Sequence, residues 1–394
     1  MVTAGAGATP APERFEDCFE WLHRAATRET AGLRNFGNSD YHAGLRVLLR
    51  AMDSDSSFSP TGREMTLTHL VSVLKARLHS EEGWRKNPGY EAVTIRPLVI
   101  TGIPRSGTSA LHKLLAVDPQ FQGLQRWLAR APMVRPPIGE WTLHPEFQVC
   151  QAETESFNKE SPQFASAHEE AAHVVDECME VLQQGFVSNM FASRFPTPTY
   201  TEWLMQASER SSYRRYADVL RLIGLADPDK RWLLKNPGHT WHPDLLFEVF
   251  SDARVIQTHR DPAAAIPSLC SVLNMLHGVT VGRENARPER LGAMEVSKWR
   301  MAMERTTAFR ARFPDRFHDV DFRDFHANPL RVVAGIYDHF GMELSAPVAA
   351  RMRQWLEEQP PARKTGHRYA PETFGLTAQG IRAQFADYVR TYAL

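Results

Sequence analysis

The chain carries no net charge and few cysteines. Its 394 residues contain 46 Lys and Arg against 46 Asp and Glu. A balanced charge gives no chain-wide attraction to nucleic acid or to an anionic membrane, so we expect neither as the main partner, and any anion site has to be local. The four cysteines, Cys18, Cys150, Cys178 and Cys270, are scattered without a C-x-x-C pair. We expect them to be reduced, as in a cytoplasmic protein.

The sequence also lacks a recognisable targeting or membrane segment. The N-terminus has no basic stretch followed by an apolar one. No apolar run approaches the roughly 18 residues that span a bilayer. We therefore predict a cytoplasmic protein without an integral membrane segment, and we expect the small-residue N-terminus, residues 1–12, to be disordered.

Hydrophobic periodicity indicates two kinds of structure in the remainder. Residues 13–90 repeat apolar positions three and four apart, which predicts a helical N-terminal region. Residues 91–394 alternate helical patterns with the short apolar runs IRPLVITGI, RWLLK, ARVIQTH and FHDVDF. This alternation favours an α/β fold with a doubly wound parallel sheet. Residues 120–230, rich in Trp, Pro and Met near their start and containing the predicted helix AHEEAAHVVDECMEVLQQGF, are interpreted as a helical insertion that covers a binding site.

A glycine-containing loop follows the first predicted strand. Its sequence, Gly102-Ile-Pro-Arg-Ser-Gly107-Thr108-Ser109, has the glycine spacing of a P-loop, but Thr108 stands where a P-loop has lysine. A strand-to-helix turn directs backbone N–H groups and the positive end of the helix dipole at one spot, which suits a phosphate or sulfate. Arg105 supplies a cation within the loop, and Ser106, Thr108 and Ser109 offer hydroxyl donors.

The ends of the neighbouring predicted strands lack the acidic residue that holds Mg²⁺ in nucleotide triphosphatases. RWLLK ends in Lys235, and ARVIQTH is followed by Arg260. Basic strand ends indicate an anionic ligand bound without a metal ion. The alternative interpretation is a tight turn with an incidental arginine.

These residues resemble the motifs of the sulfotransferases that use PAPS (3′-phosphoadenosine 5′-phosphosulfate). The loop from Ile103 to Ser109 is similar to their 5′-phosphosulfate loop, and Arg260 with Ser268 is similar to their 3′-phosphate motif. Lys235-Asn-Pro-Gly-His239 matches the K-x-P-x-H pattern of the bacterial branch. The resemblance covers roughly residues 96–376 and implies a P-loop-like core with PAPS as co-substrate and no metal.

The resemblance also implies how the rest of the donor is held. Cytosolic members stack adenine on a tryptophan just after the loop, where this chain has Ala110, so Phe322 is expected to take that role. The tail RKTGHRYAPETFGL resembles a basic loop that closes over the 3′-phosphate. The donor-binding residues implied in this way are Arg105, Ser106, Gly107, Thr108, Ser109, Arg260, Ser268, Phe322, Lys364, Gly366 and Arg368.

Sulfuryl transfer further requires a cation for the leaving oxygen and a base for the acceptor. Lys235, one of only eight lysines, ends a predicted buried strand and is the expected cation, together with Arg105. Tyrosyl-protein sulfotransferases carry a catalytic glutamate just after the loop helix, whereas this chain has Gln125 there. His168 and His239 are the candidate bases. The alternatives for them are a polar helix surface and a histidine bonded to backbone.

We therefore expect a sulfotransferase that moves a sulfuryl group from PAPS to a hydroxyl or amine of a small-molecule or lipid-like acceptor. The first alternative is a nucleotide-dependent, kinase-like phosphotransferase, which would require Mg²⁺. The second is a catalytically inactive nucleotide-binding protein, which the absence of a carboxylate at Gln125 favours. The sequence identifies neither the acceptor nor the base, and it leaves the oligomeric state open, a homodimer included.

Overall fold

The computed structural model describes residues 10–160, 171–359 and 370–394. Within them, five strands form one parallel sheet in the order β2-β3-β1-β4-β5. The strands are β1 (Pro97–Gly102), β2 (Phe121–Gly123), β3 (Arg231–Lys235), β4 (Arg254–His259) and β5 (Phe317–Asp321). Because β1 has later strands on both sides, the winding reverses there, and the carboxyl ends of β1, β3 and β4 meet at this switch point, where α/β proteins bind ligands.

The sheet is covered on both faces because its strands are apolar at consecutive positions. All six residues of β1 are buried. Successive side chains of a strand point to opposite faces, and accordingly Leu98 and Ile100 belong to one apolar cluster while Val99 belongs to another. The other strands divide in the same way, with Leu233, Ile256 and Val320 in the first cluster and Leu234, Val255 and Phe317 in the second.

Helices surround this sheet. Before β1 lie α1 (Phe19–Glu29), α2 (His42–Asp55) and α3 (Pro60–Lys86). Between β1 and β3 the described residues form α4 (Thr108–Leu115), α5 (Arg126–Arg130), α6 (Pro145–Glu160), α7 (Met179–Leu182), α8 (Asn189–Arg194), α9 (Pro198–Leu204) and α10 (Arg210–Ile223). Next come α11 (Pro243–Val249), α12 (Pro262–Val281) and α13 (Pro288–Arg310), followed after β5 by α14 (Phe322–Ala327), α15 (Pro329–His339), α16 (Ala346–Glu358), α17 (Ala378–Gln384) and α18 (Ala386–Thr391).

The predicted fold class is confirmed. The four apolar runs found in the sequence are strands β1, β3, β4 and β5, and the helical patterns between them correspond to α10, α11, α12 and α13. Strand β2 was not predicted, since three residues are too few to show a periodicity. Of the N-terminal residues expected to be disordered, residues 1–9 lie outside the described part of the chain.

The helix predicted over residues 167–186 is wrong for most of its described part. Only α7 is α-helical there, and residues 171–178 form turns and a β-bridge between Val175 and Gln125. The backbone N–H of Arg126 donates to Val174 O (3.2 Å), and the N–H of Asp176 donates to Leu124 O (2.7 Å). These main-chain bonds to the segment after β2 replace the helical ones.

Helix α12 also departs from the sequence analysis. Its 20 residues have a mean hydropathy of 1.4 over an 18-residue window, so by length and composition it is able to span a membrane. Ile266, Leu269 and Leu273 nevertheless lie in the apolar cluster that also contains residues of α1, α2 and α3. More than half of the helix is buried, as in the core helix of a globular fold.

Candidate functional site

The loop between β1 and α4 has an unusual backbone. Gly102, Arg105 and Gly107 all have positive φ, at 142°, 71° and 89°. The left-handed conformation of Arg105 costs on the order of 1–3 kcal/mol, a strain that clusters at ligand-binding sites. Gly107 is the N-cap of α4, and a Cβ atom there would lie 3.2 Å from Cδ2 of Phe322. The turn thus brings the N-terminus of an eight-residue helix to the end of β1, which is suited to holding an anion.

Ser106 fastens this loop to the sheet. Its hydroxyl lies 2.6 Å from Ile103 O and 2.6 Å from Oγ1 of Thr258, and Thr258 in turn donates to Thr101 O (3.2 Å). Ser106 is only 1% exposed. The hydroxyl therefore supports the loop conformation, a role that the sequence did not indicate. Thr108, also buried, begins α4.

Four of the residues that the sequence predicts to bind the sulfuryl donor converge beside the loop. Arg105 donates through Nε to Oγ of Ser268 (3.3 Å), and Arg260 donates through Nη1 to the carbonyl of Arg105 (2.6 Å). The guanidinium carbon of Arg260 lies 4.3 Å from the ring centroid of Phe322, within cation–π range. The carboxyl end of β4 and the beginnings of α12 and α14 thereby meet at the loop, and two arginines lie in direct contact there.

Lys235 lies at the end of β3, where it pairs in register with Ile100 of β1. Its side chain is 3% exposed. The ammonium group donates to Oγ of Ser109 (3.2 Å) in the first turn of α4 and forms an ion pair with Oε1 of Glu177. A buried charge requires such partners, because its hydration is lost. Lys235 is therefore fixed directly beside the loop between β1 and α4.

Glu177 was missed by the sequence analysis. The family resemblance would place a carboxylate just after the loop helix, where this chain has Gln125, and the sequence predicts a helix over residues 167–186. In the structure Gln125 pairs with Val175, and the chain after Val175 carries Glu177 to the end of β3, where the N–H of Cys178 donates to Lys235 O (3.0 Å). No local sequence signal marks this residue, since its place depends on pairing between distant segments.

Of the two candidate histidines, only His239 lies in the described residues. His168 lies outside the described residues. His239 is 1% exposed, and its Nδ1 is 2.8 Å from the hydroxyl of Tyr213. Burial lowers the pKa of His239 to about 3. Its imidazole is thus held neutral against Tyr213, and the ion-pair partner of Lys235 is Glu177.

A cavity of 430 Å³ borders Lys235 and the N-terminal half of α4. Its walls come from α4, the segment 171–176, α14 and α16, and include Gly107, Ser109, His112, Lys113, Val174, Asp176, Lys235, Phe322, His326 and Trp355. Burial, with a smaller effect from the charge of Lys235, lowers the pKa of His112 to about 3. Phe322 contributes both to this cavity and to the contact with Arg260.

Two further expectations concern the tail and metal ions. Lys364, Gly366 and Arg368 lie in the segment 360–369, outside the described residues. In the part of the chain that the structure describes, no group of three or more His, Cys, Asp or Glu side chains is arranged to hold a metal ion.

Comparison with known proteins identifies the family. A family model described as "Sulfotransferase family" matches residues 97–346, which include the loop and all five strands. Among curated proteins, the omega-hydroxy-beta-dihydromenaquinone-9 sulfotransferase Stf3 of Mycobacterium tuberculosis and of Mycobacterium bovis is 26% identical over 270 residues, covering 66% of this chain and 67% of the relative.

Two solved sulfotransferase structures match this chain over almost its whole length. The sulfotransferase STF1 from Mycobacterium tuberculosis H37Rv is 35% identical with a TM-score of 0.83, and the match covers 94% of this chain and 98% of that one. The sulfotransferase STF9 from Mycobacterium avium is 27% identical with a TM-score of 0.87, covering 95% and 96%. These matches confirm the predicted family and enzyme class: the chain belongs to the sulfotransferase family, whose members transfer a sulfuryl group to an acceptor.

Proposed function

We propose that this sulfotransferase uses PAPS as its donor, without a metal ion, and that the loop from Gly102 to Ser109 holds the 5′-phosphosulfate. The observation that carries the proposal is the convergence of Arg105, Arg260 and Lys235 around this loop. Backbone N–H groups at the start of α4 hold the phosphosulfate oxygens, and the glycine at 107 leaves room for close approach. Because fixed donors need no reorganisation, such a site favours the charge that develops in transfer.

Arg260 and Ser268 are the proposed ligands of the 3′-phosphate. Their partners in the structure are Arg105 and Phe322, so the phosphate would meet two guanidinium groups and a hydroxyl, which form strong charge-assisted hydrogen bonds. Phe322 offers its ring to the adenine. Lys364, Gly366 and Arg368 are proposed to complete this end of the site from the basic tail.

Lys235 is proposed to hold the negative charge of the leaving oxygen. Its buried ammonium group lies against Ser109, and in the proposed site it would lie next to the bond that breaks when the sulfuryl group leaves the phosphate. A cation in a site with little water stabilises that charge more than one in solvent.

The proposed acceptor is the hydroxyl of a small or lipid-like molecule. The Stf3 relatives are named for a hydroxylated menaquinone, a long apolar alcohol. In this chain the cavity beside Lys235 includes apolar surface from Val174, Phe325 and Trp355. His168 and His239 are the bases proposed from the sequence. We place the enzyme in the cytoplasm, where its four buried and unpaired cysteines would remain reduced.

Calorimetric titration with PAP (3′-phosphoadenosine 5′-phosphate) tests the donor assignment without knowledge of the acceptor. PAP should bind in the presence of EDTA, and much more tightly than ADP, because only PAP carries the 3′-phosphate. Equal affinity for PAP and ADP would contradict the roles of Arg260 and Ser268. Binding of ATP only with Mg²⁺ and without competition by PAP would favour the kinase alternative.

A further inference from the structure

Glu177 and Lys235 form an ion pair next to the loop from Gly102 to Ser109. The Glu177 side chain is 14% exposed and that of Lys235 is 3% exposed, and the Lys235 ammonium also donates to Ser109 (3.2 Å). A carboxylate, an ammonium group and the first turn of α4 are therefore in one connected contact. Burying such a pair costs desolvation free energy unless both charges are fully hydrogen-bonded.

The position of Glu177 is fixed by main-chain bonds on both sides. The N–H of Asp176 donates to Leu124 O (2.7 Å), and the N–H of Cys178 donates to the carbonyl of Lys235 itself (3.0 Å). The N–H of Glu177 donates to the side chain of Asp176 (2.7 Å). The carboxylate is thus held at the carboxyl end of β3, where sulfuryl transfer takes place in the proposed function.

The neighbouring groups are less suited to accept a proton. Asp176 lines the cavity, but both of its carboxylate oxygens have partners, Oδ2 with Nη1 of Arg126 (2.7 Å) and Oδ1 with the N–H of Glu177 (2.7 Å). His239 faces Tyr213, and the side chain at 125 is an amide. The partner of Glu177 is Lys235, which in the proposed function is also the cation that stabilises the leaving oxygen.

We propose that Glu177 is the general base of the transfer, a role that rests on the proposed function. The carboxylate takes the proton of the acceptor hydroxyl while the acceptor oxygen forms a bond to sulfur. The bond between sulfur and the bridging oxygen breaks, and its electron pair stays on the 5′-phosphate of PAP, next to the Lys235 ammonium. Glu177 ends protonated and later releases the proton to water. The two members of one ion pair thereby act on the acceptor and on the leaving group.

The test compares acceptors that need a base with one that does not. Wild type and Glu177→Gln are assayed with farnesol and other unactivated alcohols, with 4-nitrophenol at mildly alkaline pH, and with water as acceptor, measured as PAP release from PAPS. At this pH 4-nitrophenol is largely ionised, so it needs no general base. Loss of a general base typically costs about 10²–10⁴-fold, so kcat should fall by that factor with alcohols and water, but little with 4-nitrophenol. The acid limb of the alcohol pH profile should disappear as well.

Glu180→Gln, three residues further on, is the matched control, since this carboxylate contacts Gln183 and not Lys235. PAP titration confirms that each variant is folded, and Glu177→Asp, which withdraws the carboxylate, should retain part of the activity. Equal fold losses with alcohols and 4-nitrophenol would overturn the base and leave Glu177 as a positioning residue for Lys235. Unchanged kcat in Glu177→Gln would overturn both roles. Failure of the wild-type protein to bind PAP would instead overturn the donor assignment.

Discussion

The guanidinium of Arg260 lies over the ring of Phe322, 4.3 Å from its centroid, and also donates to the carbonyl of Arg105. The same ring lies within 3.2 Å of the position that a Cβ atom on Gly107 would occupy. One aromatic side chain therefore connects the loop, the end of β4 and the start of α14. In the proposed site it brings the adenine and the 3′-phosphate to neighbouring residues.

Arg260→Ala should weaken PAP and leave ADP almost unchanged. Loss of a hydrogen bond to a charged group costs about 1.5–3 kcal/mol, and only PAP has the 3′-phosphate that makes it. Calorimetry with both nucleotides measures the difference. Arg323→Ala is the control, because Arg323 is 63% exposed and pairs with Asp321. An equal loss for PAP and ADP would indicate disruption of the loop.

Lys235→Ala should lower turnover by about 10²–10³-fold, the usual scale for one electrostatic donor in a transition state. PAP affinity should fall less, since the charge on the leaving oxygen develops only during transfer. Single-turnover rates and PAP titration separate the two effects. Lys230→Ala serves for comparison, as Lys230 is exposed and pairs with Asp227. If PAP affinity falls as much as turnover, Lys235 is a binding residue without a specific effect on transfer.

Gly107→Ala should weaken donor binding. An L-residue in the left-handed region costs about 1–2 kcal/mol, and the added methyl would press against Phe322. PAP affinity and the free energy of unfolding are the two measurements. Gly335→Ala is the matched substitution: Gly335 lies in α15 with open space around its Cβ position. There alanine should stabilise the helix by about 0.5–1 kcal/mol. Wild-type PAP affinity in Gly107→Ala would argue against close approach at this glycine.

Protonation of the buried His239 should lower the free energy of unfolding at acidic pH. Its pKa is about 3 in the folded chain because of burial, against about 6.5 in the unfolded chain. The unfolded state therefore binds the proton more readily, so stability from this residue is complete above pH of about 6.5 and is lost as the pH falls toward 3. The free energy of unfolding should drop by about 1.4 kcal/mol per pH unit for this one histidine in that window.

His239→Gln should remove this part of the slope, measured by denaturant unfolding at several pH values, while PAP affinity stays the same. His173→Gln, a change at an exposed turn residue, should leave the slope as it is. If His239→Gln instead abolishes turnover with intact folding and an unchanged slope, the residue is the base after all.

Much of the fold and the meeting of three basic residues at the loop were predictable, because both depend on local sequence. Strands β1, β3 and β4 are short apolar runs, each ending in a glycine, lysine or arginine motif at a strand-to-helix junction. Parallel strands bring such ends to one edge, so Arg105, Lys235 and Arg260 had to be neighbours. Phe322 follows β5 directly and lies beside the loop and Arg260, while its expected stacking on adenine stays a prediction.

The segment after α6 was not predictable in the same way. Its apolar spacing favours a helix, but in the described part residues 171–178 form turns and a β-bridge, with backbone bonds to residues 124–127. Propensity is a weak guide where such tertiary pairing is available. Glu177 was missed for this reason, since its distance from Lys235 is set by strand pairing and not by spacing along the chain.

The pairing of residues 172–176 with residues 124–127 relies on main-chain atoms, but Ala172 is buried in an apolar cluster and the Val175 side chain packs against Gly123. Val174, which lines the cavity, can be exchanged for other residues without displacing the carboxylate of Glu177. If the cavity holds the acceptor as proposed, mutational libraries confined to Val174 should change acceptor preference and leave donor binding undisturbed, which makes this position a natural place for the evolution of specificity.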